Sequence, residues 1–105
     1  VYQLTPANFQ CFVHGNAIAV VHVDAPWNKK LRDLMRLKMA AAERLLHENA
    51  GFAELDSDAY GDLCRPLKIA NVPTVLYFRD GEQVDLVVGA SQDVYAIVSS
   101  LLSRA

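Results

Sequence analysis

The side chains able to carry chemistry are few and scattered. Cys11 and Cys64 stand 53 positions apart, with no second thiol or histidine close enough in sequence to form a metal knuckle. Both lie among apolar neighbours on expected helices and read as small buried hydrophobes. The other use, Cys64 or Cys11 as a single reactive thiol, asks for a basic neighbour to lower its pKa, and Cys64 has no clear one. His14, His22 and His47 complete no ligand set with the cysteines, so neither a metal site nor a cofactor is expected. His22 and Asp24 fall two apart in an apolar run and so share one face of a strand. The stretch "APWNKKLRDLM", residues 25–35, places Trp27 and Asn28 where a long helix should start. An Asn there is expected to cap the helix, worth roughly 1 kcal/mol over Ala, with Leu31 adding to the buried stripe. Lys29 and Lys30 are the odd pair, because cations in a first turn oppose the helix dipole. They read either as a contact for an anion or acidic peptide or as two solvated lysines.

The elements that must position these residues follow from pattern. Tyr2–Leu4 is a short strand, and Thr5-Pro6 reads as a cap and first helical position for a helix over residues 6–13. "AIAVVHVD", Ala17–Asp24, is apolar on both faces, as a central strand covered on both sides should be. From Asn28 to about Glu48, Leu31, Leu34, Met35, Met39, Ala42, Leu45 and Leu46 recur at helical spacing, and Gly51 ends that segment. Phe52–Asp56 is a further strand, and Asp58 an expected N-cap for a helix over 59–68 that Pro66 should distort. Thr74–Phe78 and Val84–Val88 meet across Asp80-Gly81, a strong hairpin signal, and a last helix spans about Gln92–Ser103. The order βαβαβαββα predicts an α/β class, a mixed sheet between helices in a single domain over residues 1–105.

Bulk properties narrow the partners. A net charge of -2 and a pI near 5.8 give no basic field for nucleic acid. The longest mostly apolar stretches, such as Ala17–Val23 and Val84–Ala90, fall far short of the roughly 20 residues of a membrane span. No secretory signal peptide is visible and the chain begins at Val1 rather than Met; the compartment stays open, with the cytoplasm favoured.

Several of these residues, in order, resemble the thioredoxin family over essentially the whole chain: a central strand ending in "DAPW", the long helix after it, "LDSD" before a short helix, then "IANVPTVLYFRDGEQVDLVVGA". Val72-Pro73-Thr74 is similar to the family's cis-proline segment, Asp80-Gly81 to its hairpin turn, and Gly89 to the glycine beside its groove. The resemblance implies the thioredoxin fold, a cis bond before Pro73, and Trp27 beside that loop. It also implies that Asn28-Lys29-Lys30-Leu31 occupies the place of the family's C-x-x-C. An amide cannot attack a disulfide and a hydrocarbon cannot resolve one, so dithiol exchange is not expected and the enzyme question leans to no. The family's buried acid and lysine correspond to His22 and Glu54, expected to pair, with Asp24 nearer the strand's exposed end. The function implied is a redox-inactive module that binds protein or extended peptide through Trp27, Asn28, Val72, Pro73, Gly89 and Ala90, in one version co-chaperone-like. The alternatives are a structural or oligomerising domain and a single-thiol redox protein.

Overall fold

A computed structural model describes residues 1–104. The elements run β1 (Tyr2–Gln3), α1 (Phe9–Gly15), β2 (Ile18–Asp24), α2 (Lys29–Leu46), β3 (Gly51–Asp56), α3 (Gly61–Cys64), β4 (Thr74–Arg79), β5 (Glu82–Val88) and α4 (Val94–Ser103). They form one five-stranded sheet in the order β1-β3-β2-β4-β5, in which β1, β3 and β2 are parallel while β4 and β5 are antiparallel. This is the α/β thioredoxin fold, with the apolar run of β2 at its centre and every residue of that strand buried.

Alternation along β2 divides the core into two layers. Ile18 and Val20 face α2 and α4, where they meet Met35, Met39, Ala42, Tyr77, Val94 and Val98. Ala19, Val21 and Val23 face α1 and α3 and pack with Phe9, Val13, Leu55, Cys64 and Phe78. Met35 and Met39 are fully buried, each worth about 2–3 kcal/mol relative to exposure. Their spacing of four on α2 is what turns that helix's apolar stripe onto the sheet. The same alternation puts His22 and Asp24 on the α2 side.

The hairpin forms at Asp80-Gly81, where φ is 51° and 86°. Successive positive φ values are the geometry whose twist suits two strands joined by two residues, and Gly is the residue that takes it without strain. A bulge follows between Tyr77 and Phe78, which pair with Asp85 and Gln83.

Three boundaries differ from expectation. The regular part of α1 starts at Phe9 rather than residue 6, because Asn8 Oδ1 accepts from Thr5 N–H at 2.7 Å and folds Thr5–Asn8 into a separate turn. Gly51 does not end the long helix; α2 stops at Leu46 and Gly51 opens β3. The helix expected over 59–68 is a single turn, Gly61–Cys64. Pro66 has no N–H to continue it and Lys68 has a φ of 61°. Asp58 caps nothing there: Asp56 Oδ1 accepts from the N–H groups of Asp58 and Ala59 instead, at 2.9 and 3.1 Å. Cys64 is buried as read, whereas Cys11 is exposed, on the solvent side of α1.

Candidate functional site

The loop from β2 to α2 and the loop entering β4 lie side by side. Trp27 is 70% exposed, its Nε1–H donating to Asp58 Oδ1 at 3.3 Å. The ring borders a cavity of about 380 Å³ whose other walls include Cys64, Ile69, Asn71 and Val72. The Val72–Pro73 peptide bond is cis, and Pro73 itself is buried with its carbonyl accepting from Gly89 N–H at 2.8 Å. Gly89 has a φ of 102°, a conformation that a side chain would strain. Of the six residues expected at a binding groove, Trp27 and Val72 share the cavity, and Pro73 and Gly89 are joined by that hydrogen bond. Ala90 packs against the core between α2 and α4.

Asn28 is turned inward. It occupies the N-cap position of α2, but its side chain accepts nothing from the first turn. Instead Nδ2 donates to Asp24 Oδ1 at 3.1 Å. The expected cap is lost because a buried carboxylate one turn back is the stronger partner for an amide. Leu31 also departs from expectation, lying 40% exposed rather than inside the apolar stripe. Lys29 bridges to Asp33 at 2.7 Å, an exposed pair that holds the Asp33 carboxyl below its usual range.

Behind Asn28 a line of polar groups runs into the domain. Asp24 is 2% exposed, not near an exposed end as read from sequence. It is fully used: Oδ1 accepts from Ala25 N–H at 2.9 Å as well as from Asn28, and Oδ2 lies 2.9 Å from His22 Nε2. A carboxylate can only accept, so the proton of the neutral imidazole sits on Nε2. Nδ1 then faces Glu54 Oε2 at 3.6 Å, beyond hydrogen-bonding reach. His22 and Glu54 are cross-strand neighbours in register. Yet the partner of Glu54 is Arg36, whose Nε and Nη2 donate to its two oxygens at 2.7 Å each. This fork holds the Glu54 carboxyl below its usual range against the opposing effect of burial.

Two further residues shape the site without having stood out in the sequence. Gln92 donates through Nε2 to the carbonyls of Val87 and Gly89, at 2.9 and 2.8 Å, and accepts from the buried Tyr77 hydroxyl at 2.7 Å. Burial raises the Tyr77 hydroxyl far above its ordinary value, so it stays a donor. Lys38 donates to the carbonyls of Ala90 and Gln92. Together they fasten the loop that carries Gly89. A lone Gln before a helix gives no signal of such a role, since its partners come from β4, β5 and the turn that follows β5.

The family model described as thioredoxin matches residues 1–102. The chain belongs to the thioredoxin family. It is 27% identical to Thioredoxin-2 of Saccharomyces cerevisiae over 77 residues, 73% of this chain and 72% of that protein. It is 39% identical over 79 residues to Protein disulfide isomerase-like 1-3 of Arabidopsis thaliana, 75% of this chain but 14% of that one. The chain spans 23% or less of the length of several curated relatives that it matches, Glutaredoxin 3 of Danio rerio among them. The solved thioredoxin of Plasmodium falciparum superimposes with a TM-score of 0.80 at 19% identity, covering 99% of this chain and 98% of that chain. No helix among the described residues is long and apolar enough to cross a membrane.

The two cysteines of the chain form no C-x-x-C pair, and residues 28–31 at the start of α2 are Asn, Lys, Lys and Leu. The sulfur nearest Trp27 is Cys64, which lines the cavity from α3. Its thiol is pushed up by burial and then by the charge of Asp56, the reverse of what activates a nucleophile. Iodoacetamide should therefore alkylate native Cys64 at least about tenfold more slowly than exposed Cys11, read by peptide mass spectrometry, with equal rates after unfolding. A fast native Cys64 would return the single-thiol reading to contention.

Proposed function

We propose that this thioredoxin-family chain binds an extended protein segment in the groove between Trp27 and the loop before Pro73, without exchanging disulfides there. The observation that carries the reading is Trp27: a 70% exposed indole beside a cavity of about 380 Å³ with Ile69 and Val72 in its walls. The rest of the lining is mixed, with Ser57, Arg65 and Asn71 among it, and an exposed aromatic beside such a hollow is a common anchor of a protein contact, supplying large area at little entropic cost. Val72 leads directly into β4, so a segment laid along it extends the sheet's own mode of backbone pairing. Atom type at residues 28 and 31 supports the second half, because neither side chain can carry a mixed disulfide.

The test is a pull-down from cell extract with the wild-type chain and a Trp27→Ala, Val72→Asp variant, after circular dichroism shows that the variant folds. Anchor loss of this kind weakens binding by about thirtyfold or more, so specific partners should disappear from the variant's list. Identical lists would leave the groove without a role and favour a structural domain.

A further inference from the structure

The outward face of α2 carries a seam that the sheet does not use. Leu34, Leu37 and Leu45 are 43%, 70% and 65% exposed, and Ala41 is exposed between them. With Lys30 before, and Glu48 in the turn just past the end of α2, these residues recur at intervals of three or four, the spacing of a helix–helix contact line. Arg44 and Asp33 lie along one edge of it.

We propose that this seam pairs with the same seam of a second copy, the two helices antiparallel about a twofold axis level with residue 39. In that register Leu37 faces Ala41 of the second copy and Leu34 faces Leu45. Lys30 faces Glu48, and Asp33 faces Arg44. Lys30 and Glu48 each meet an opposite charge, and Arg44 meets the carboxylate of Asp33, which Lys29 also bridges within the chain, whereas a parallel pairing sets Lys30 on Lys30 and Glu48 on Glu48. A sequence whose charges match only when read against its own reverse points to a second copy as the occupant. Antiparallel docking also places Lys30 at the C-terminal end of the other α2, where the helix dipole favours a cation. Neither Lys30 nor Glu48 has an ion-pair partner within the chain among the described residues. Beside the seam, Lys38, Ala41, Leu45 and Tyr95 enclose a cavity of about 400 Å³. Leu34 of the second copy lies over it. Lys38 does not charge the contact, because the carbonyls of Ala90 and Gln92 hold its ammonium.

One helix pair makes a small interface, so the dimer should dissociate in the range of tens of micromolar, about 10–100 µM. Sedimentation equilibrium of the chain from about 5 to about 500 µM should show monomer and dimer in exchange. Each of Lys30→Glu and Glu48→Lys alone changes two symmetric pairs from attractive to repulsive and should weaken the dimer about fivefold or more. The double variant Lys30→Glu, Glu48→Lys should return to within about twofold of the wild type, because the swap restores complementarity. Leu37→Lys should leave only monomer. A wild type that stays monomeric throughout, a dimer indifferent to Leu37→Lys, or a double variant no tighter than the single ones would overturn the proposal.

Discussion

Placing cysteines at positions 28 and 31 should give a chain that reduces insulin disulfides faster than the wild type, with dithiothreitol as the electron source. Position 28 is the N-cap of α2 and position 31 lies within its first turn, so the variant puts two sulfurs at a helix start, where thiolate is favoured. The rate should nonetheless be poor near neutral pH. The residue now at 28 is hydrogen-bonded to Asp24, and a thiolate there would face a buried carboxylate at close range. Asn28→Cys, Leu31→Cys should therefore give measurable but slow turbidity, and adding Asp24→Asn should accelerate it about tenfold at pH 7. Asn can keep the bond from Ala25 N–H through its carbonyl oxygen, and its NH2 can donate to His22 Nε2 once the ring proton moves to Nδ1, so the third change alters charge more than architecture. The gain should shrink above about pH 9, where even a disfavoured thiol ionises. No activity in either variant would mean that more than sulfur separates this site from a dithiol enzyme.

Removing the cation over β3 should cost the most stability of any single surface-reaching substitution. Arg36→Met leaves Glu54, whose side chain is only 9% exposed, without both of its 2.7 Å donors and with His22 Nδ1 no nearer than 3.6 Å. Breaking a fully buried pair costs about 3–5 kcal/mol. The Arg36 side chain is 46% exposed, so water can reach the orphaned carboxylate, and about 2 kcal/mol is the expected loss at pH 7. The sign of the pH dependence follows from the carboxyl being held low in the native state. Such a group stabilises the fold above its unfolded pKa of about 4.3, and the contribution fades as pH falls through the lower native value. Urea unfolding of wild type and variant should differ by about 2 kcal/mol at pH 7 and converge toward pH 3. A gap that stays constant with pH would assign the loss to the methylene packing of Arg36 instead.

The backbone plan was readable because it rests on local rules. An eight-residue run apolar on both faces has to be a central strand, Asp80-Gly81 has to be a tight hairpin, and Val94, Val98 and Leu101 have to face a core. The order of elements follows from these. What could not be read is whatever depends on which side chain arrives from a distant element. Arg36 is one of several basic residues on α2, and nothing in its spacing distinguishes it; only the angle at which α2 crosses β3 brings it onto Glu54. The pairing of His22 with Glu54 was implied by the family resemblance, and register does align them, but Asp24 and Arg36 reach the two groups more closely. Likewise Asn28 has the right type for a cap and a better acceptor within reach. Local propensity lost to a tertiary contact in each case.

The two sides of the groove beside Pro73 are built with unequal stiffness. The loop bearing Gly89 is lashed from behind by Gln92, Lys38 and the Tyr77 hydroxyl, all on well-packed strands and helices. The indole opposite is tied by one exposed bond to Asp58. A guest entering between them would meet one fixed jaw, already set before arrival, and one compliant jaw that swings to fit. Register along the chain of the guest would be read by the fixed side, while tolerance for bulk and shape would belong to the tryptophan.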